Sequence, residues 1–304
     1  MSGVTAASRG AAADAQVELR ALRFACLGCE LIGVLATPTS DARRGVLVVT
    51  GGPQYRAGSH RQFVLLAAEL ARRGMPVLRF DYRGMGDSEG EARDYQRIEA
   101  DLEAAIDAFF KAVPTLRELV LWGLCDGATA AAAYAARERR VAGLILLNPW
   151  VRTAPGMARA TLRHYYLARL RQPQFWRKLM SGRFRPGAAI ASLRQLASAA
   201  VKGATADAAS GASARASQAE GAADPPARML AGLSRFTGRT LIILSGEDLT
   251  AREFADVLGS PGWRQLARSP RLRQTRLPGA NHTFARAAWR DEVARLSAEW
   301  IAAW

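Results

Sequence analysis

Leu119-Val-Leu-Trp-Gly-Leu-Cys-Asp-Gly-Ala128 runs from an apolar stretch, through two glycines that flank Cys125, into an alanine-rich segment reaching Arg137. It reads as a buried strand, a sharp turn and a helix. Gly123-Leu-Cys-Asp-Gly127 has the Gly-x-nucleophile-x-Gly spacing of a nucleophile elbow, with cysteine where serine is usual. The glycines have a physical reason. A side chain presented on a strand-to-helix turn sits in strained backbone, and the chain passes close to it only where no Cβ intervenes.

Working outward, short β-branched or apolar runs recur: Gly45–Thr50, Pro76–Phe80, Val141–Leu147, Thr240–Leu244 and Arg273–Leu277. Runs this short and apolar suit strands buried on both faces of a parallel sheet. Helical periodicity separates them. One helix opens at Ser59 on a Ser59-His-Arg-Gln62 capping box and stops at Gly74. A second opens near Asp94, with Ile98, Leu102, Ile106, Phe109 and Phe110 on one face. Another opens on the capping box Thr250-Ala-Arg-Glu253, and Arg286–Trp304 closes the chain with Trp289, Val293, Leu296 and Trp300 aligned. Upstream, Val17–Cys26 and Leu31–Thr37 form a hairpin about Gly28. Alternation of strand and helix with short connections implies right-handed crossovers and a doubly wound, mostly parallel α/β sheet. Ligands in such sheets bind past the carboxyl ends of strands, where Gly52, Asp81 and Cys125 all fall.

The division expected is a disordered tail over 1–16, a first core part over 17–150, an inserted helical cap over 151–235 and a second core part over 236–304. Within the cap, an Ala/Ser/Gly-rich stretch near 197–226 reads as a linker. The insertion holds aromatic and arginine residues and no acid between Glu138 and Asp207.

The chain has 304 residues, 49% of them hydrophobic, and a net charge of +15. No run of ~20 apolar residues points to a membrane span. The N-terminus lacks an apolar signal segment and only three cysteines are present, which together suit a cytoplasmic protein. Cys26-Leu-Gly-Cys29 lacks a second Cys or His pair, so a hairpin turn is expected rather than a metal site, and no cofactor is expected. Much of the arginine is spread over helices elsewhere in the chain, and the compositional bias of a high-GC genome explains its abundance, so nucleic acid is not an expected partner. The basic insertion suits an anionic substrate or peripheral contact with an anionic membrane. Oligomeric state is not legible.

A cysteine nucleophile needs a base and an acid to orient it. Of three histidines, His60 lies in a capping sequence at the pocket rim and His164 in the insertion. His282, in Gly279-Ala-Asn-His-Thr-Phe284, follows the last strand, where the base falls in the order nucleophile, acid, histidine. The acid belongs after Thr240–Leu244. Asp248 is favoured there and Glu247 is the alternative. Donors for an oxyanion would be the backbone N–H of Asp126 and of Gly52, with Gln54 in reserve because Pro53 has no N–H. Gln54, Tyr55 and His60 are candidates for contact with substrate.

Across nearly its whole length the chain resembles the α/β-hydrolase superfamily and, more narrowly, the exosortase A system-associated hydrolases, type one. The resemblance rests on Gly51-Gly-Pro-Gln-Tyr-Arg56, Gly58-Ser-His-Arg-Gln-Phe63, Arg79-Phe-Asp-Tyr-Arg-Gly-Met-Gly-Asp-Ser-Glu-Gly90, Leu121-Trp-Gly-Leu-Cys-Asp126, Leu146-Leu-Asn-Pro-Trp-Val-Arg152, His164-Tyr-Tyr166, Leu244–Phe254 and His282-Thr-Phe284. It implies an α/β-hydrolase fold and a triad at Cys125, Asp248 and His282. It also implies an acyl substrate, a small molecule or one linked to a lipid or saccharide, associated with an exopolysaccharide system. Hydrolysis of an ester or thioester leads. Acyl transfer by the same nucleophile, or non-catalytic binding on a hydrolase scaffold, are the alternatives.

Overall fold

The computed structural model describes residues 16–52, 54–151 and 225–304. Eight strands form one sheet: β1 (Val17–Cys26), β2 (Cys29–Pro38), β3 (Arg44–Val49), β4 (Val77–Phe80), β5 (Glu118–Leu124), β6 (Val141–Leu147), β7 (Arg239–Ser245) and β8 (Leu272–Leu277). Their spatial order is β1-β2-β4-β3-β5-β6-β7-β8. β2 is antiparallel to β1 and to β4, and every pairing from β4 through β8 is parallel. This is the mostly parallel sheet that the alternation of elements implied, in the α/β-hydrolase arrangement that the family resemblance implied.

The central strands explain the apolar runs. In β3 and β5 every residue after the first is buried, because helices cover both faces. Among the described residues the α-helices are α1 (Gln62–Arg72), α2 (Glu99–Ala112), α3 (Asp126–Tyr134), α4 (Pro225–Arg235), α5 (Leu249–Leu258), α6 (Pro261–Ala267) and α7 (Ala287–Ala302). One core cluster includes Leu47, Leu121, Leu102, Ile106 and Phe254; the other, on the opposite face, includes Val48, Val120, Phe63, Leu70 and Trp300. Among the described residues no helix is long and apolar enough to cross a membrane.

Cys26 and Cys29 are directly opposed at the end of the β1–β2 hairpin and are free thiols. Leu27 and Gly28 between them both have positive φ, the geometry of a two-residue hairpin turn.

Three local expectations need correction. The Ser59–Gln62 capping box does not form. Ser59–Arg61 is instead a 3₁₀ turn in which His60 and Arg61 adopt left-handed φ of 52° and 60°, and α1 starts only at Gln62 without a side-chain cap. Asp94 caps the 3₁₀ turn Tyr95–Arg97 through a hydrogen bond from the Gln96 N–H, and α2 begins later, at Glu99. The Thr250–Glu253 box is replaced by Asp248, whose side chain caps α5 two residues earlier. In addition, α6 was not anticipated.

The chain divides into two units, Met1–Val151 with Pro226–Trp304, and Arg152–Pro225. The core therefore resumes near 226 rather than at 236. Helix α4 packs on it through Met229 and Leu233, both buried, and a Cβ added at Gly232 would lie 2.2 Å from the Ala132 carbonyl. Residues 1–15 of the expected tail and residues 152–224, which hold most of the expected cap and its linker, lie outside the described residues, as do His164 and Pro53.

Candidate active site

Cys125 is the residue between β5 and α3, with φ 58° and ψ −122°. Non-glycine residues rarely hold such a backbone, and here neighbouring chain enforces it. The Cys125 N–H donates to the Leu147 carbonyl at the end of β6 (2.9 Å), and the Trp150 N–H donates to the Cys125 carbonyl (3.3 Å). Both elbow glycines are required by contact. A Cβ on Gly123 would lie 2.6 Å from the Gly127 carbonyl and the Ala128 nitrogen, and one on Gly127 would lie 2.2 Å from the Val49 carbonyl.

The loop after β3 is packed against the same turn. A Cβ on Gly51 would meet the Gly127 nitrogen at 2.4 Å, so the chain has to be bare there to reach the start of α3. Gly52 follows with φ 55°, and the Tyr82 hydroxyl donates to its carbonyl at 3.3 Å. Gly52 thus lies beside Asp126, the two residues nominated as oxyanion donors. Gln54 and Tyr55 lie further along this loop, Gln54 half-buried and Tyr55 49% exposed, and His60 is exposed on the turn before α1.

Below the loop, Asp81 is fully buried at the end of β4. It accepts hydrogen bonds from the Arg56 backbone N–H (2.6 Å), the Arg56 guanidinium and the Asp87 N–H (3.2 Å). Arg79 donates to the Arg56 carbonyl at 2.8 Å, and burial, with the Arg56 charge, lowers its pKa to about 10. This network fastens the β3 loop to the adjacent strand. It accounts for much of the Arg79–Gly90 motif as scaffold.

Asp248 and His282 meet. The His282 Nδ1 is 2.9 Å from Asp248 Oδ2, which also accepts the Ala251 N–H at 3.0 Å as the cap of α5. Burial pushes the Asp248 carboxyl up, but hydrogen bonds and charge from His282, joined by the backbone N–H groups of Ala251 and Thr250, outweigh it. The result lies below the usual carboxylate range. Glu247, the alternative acid, is exposed, and its backbone N–H donates to the Ala280 carbonyl.

The loop carrying His282 is tied to the sheet by two residues that sequence reasoning did not single out. Asn148, fully buried at the end of β6 with φ 42°, donates from Nδ2 to Ser245 Oγ (2.7 Å) and to the His282 carbonyl (2.9 Å). Its Oδ1 accepts the Ser245 N–H (2.8 Å), and Ser245 Oγ donates to the Asn281 carbonyl (2.8 Å). A signal for this was present in Leu146-Leu-Asn-Pro-Trp150. An asparagine ending an apolar strand tolerates left-handed backbone and has both donor and acceptor for stitching loops.

Cys125 Sγ is placed to donate to Asp126 Oδ1 at 3.1 Å. Burial pushes its pKa well above the usual thiol value, helped by the charge of Asp126 and, more weakly, of Asp248. The thiol is therefore protonated at neutral pH. Among the described residues no group of three or more His, Cys, Asp or Glu side chains has the arrangement of a metal site. The arrangement as a whole provides a thiol on an elbow, a carboxylate-oriented imidazole on the neighbouring loops and backbone donors at a helix start. These are the parts that nucleophilic acyl chemistry requires.

Comparison with known proteins bears on the family and the fold. The Hydrolase_4 family model, described as serine aminopeptidase S33, matches residues 41–282. The polyketide transferase grgF of a Penicillium species is 36% identical over 90 residues, covering 28% of this chain and 31% of the relative. The quorum-quenching protein AidA of Acinetobacter baumannii is 32% identical over 122 residues, covering 38% and 39% respectively. The matched part thus spans less than two-fifths of either relative. Among solved structures, the Pyrococcus furiosus esterase Pf2001 superimposes with a TM-score of 0.61 at 15% identity, covering 95% of this chain and 93% of that one. Dienelactone hydrolase from Anabaena variabilis does so with a TM-score of 0.59 at 16% identity, covering 95% and 99%.

Proposed function

The chain belongs to the serine aminopeptidase S33 family of α/β-hydrolases, and on that premise we propose that it hydrolyses an ester or thioester through a covalent acyl-enzyme on Cys125. The observation that carries this is the 2.9 Å pairing of His282 with Asp248 on loops after β8 and β7, with Cys125 on the elbow after β5. His282 takes the thiol proton as sulfur attacks the acyl carbon. Asp248 holds the ring and stabilises the imidazolium, and the N–H groups of Asp126 and Gly52 receive the oxyanion. His282 returns the proton to the leaving alcohol or thiol, and water, activated by the same ring, releases the acid. A thiolate leaves a tetrahedral intermediate more readily than an amine does, which favours esters and thioesters over the peptides named in the family's description.

Acyl transfer is the second reading, in which an alcohol replaces water. The matched polyketide transferase supports it. The motifs quoted above further support a place among the exosortase A system-associated hydrolases, acting on a small or lipid- or saccharide-linked acyl substrate in the cytoplasm. The free cysteines suit that compartment. The test is Cys125→Ala. It should lose turnover of a short-chain p-nitrophenyl ester or acyl thioester by about 10³ or more while keeping its circular dichroism and melting temperature. Undiminished turnover would sink the proposal. Weighing the acyl group on Cys125 by mass spectrometry, after acid quench of the wild-type enzyme during turnover, identifies the acyl group, and product analysis with and without an added alcohol separates hydrolysis from transfer.

A further inference from the structure

The nucleophile is followed directly by an acid, and that acid does not point away from it. Asp126 Oδ1 accepts from the Cys125 thiol at 3.1 Å, and Asp126 Oδ2 lies 3.5 Å from the position a Cβ on Gly52 would occupy. One carboxylate therefore bridges the gap between the attacking sulfur and the loop nominated to hold the oxyanion. An acid in the first turn of α3 complements the helix dipole, which explains its charge but not its aim across the site.

The charge of Asp126 acts on Cys125 and on the phenols of Tyr82 and Tyr95, and Asp248 acts on the same thiol. Burial first, and the Asp126 charge second, push Tyr82 up to about 12 and Tyr95 upward as well, so both phenols stay neutral.

Resting on the reading of Cys125 as nucleophile, we propose that the Asp126 carboxylate determines substrate specificity. It selects acyl groups that carry a hydroxyl or an amine on the carbon β to the scissile carbonyl and discriminates against a carboxylate there. The physical reason lies in the attack. As the S–C bond forms and the thiol proton passes to His282, the carbonyl π pair moves onto oxygen. A carboxylate at the edge of that site opposes the new negative charge unless a donor stands between them. A substrate hydroxyl or ammonium supplies such a donor and gains a charge-assisted hydrogen bond. A substrate carboxylate instead adds a second like charge.

A matched set of N-acetylcysteamine thioesters tests this: butanoyl, 3-hydroxybutanoyl, 3-aminobutanoyl and succinyl. The expected kcat/KM for the hydroxy and amino substrates is about tenfold or more above butanoyl, and for succinyl about tenfold or more below it. In Asp126→Asn and Asp126→Ser the succinyl-to-butanoyl ratio should rise by about tenfold. Each ratio is internal to one variant, so a change in folded fraction cancels. A second readout needs no turnover. The pH profile of Cys125 alkylation by iodoacetamide, followed by mass spectrometry, should move to lower pH in Asp126→Asn. Substrate ratios unchanged in both variants, or an alkylation profile that does not move, would overturn the inference. Turnover retained by Cys125→Ala would instead overturn the reading beneath it. An inactive Cys125→Ala with unchanged ratios at Asp126 would overturn the inference alone.

Discussion

One oxygen of Asp248 accepts two hydrogen bonds, from the Ala251 N–H that begins α5 and from the His282 ring. Its folded pKa is depressed, so its contribution to stability is present above the unfolded carboxyl pKa of about 4 and is lost as pH falls through the folded value. Asp248→Ala is expected to cost about 1–2 kcal/mol at pH 7. The gap to the parent should close in urea titrations carried out progressively below pH 4. The same variant should lose about 10³ in turnover, because the imidazole loses both its orientation and its counter-charge. A gap that persists at low pH would mean that helix capping, and not the ionised carboxylate, is the source.

At the scale of elements, the strands were legible because burial on both faces leaves little but apolar and β-branched residues. Val141–Leu147 matches its predicted span, and β3, β4, β7 and β8 differ by a residue or so at their ends. Helix starts were less legible. A capping box is a pattern of residue types, and the chain can satisfy it or kink past it, as His60 and Arg61 do. Cys125, Asp248 and His282 were nominated because each follows a strand end at the required place in the order. Asn148 escaped because its role comes from the third dimension, where β6, β7 and the His282 loop converge. Asn148→Ala strands the buried Ser245 N–H and places alanine at a left-handed position. We expect a loss of about 3 kcal/mol in urea unfolding, with turnover falling further than the folded fraction. Gly127→Ala drives a Cβ to 2.2 Å from the Val49 carbonyl. It should cost about as much and abolish turnover, because the elbow and the β3 loop have to separate to admit it.

For the molecule as a whole, the fold concentrates chemistry at the carboxyl ends of five adjacent strands: β4 and β3 through Asp81 and Gly52, β5 through Cys125, and β6 and β7 through Asn148 and Asp248. The net charge of +15 is a property of the entire chain. Nine arginines and one lysine, with no acid among them, lie between 152 and 194, outside the described residues. If that charge mediates peripheral contact with an anionic membrane, vesicles containing phosphatidylserine should retain the protein at 50 mM salt. They should release it by about 0.5 M, where screening shortens to a few ångströms, while neutral vesicles retain none. Retention insensitive to salt would remove the electrostatic explanation.

The double duty of Asp248 bears on how diverged copies of this sequence should be read. A descendant that abandoned its chemistry would still need a residue to begin α5, so selection for folding alone could preserve the aspartate. Its persistence would say little about activity. Neither the Cys125 thiol nor the His282 ring caps a helix, and those two positions would be the first to drift once the reaction was no longer under selection.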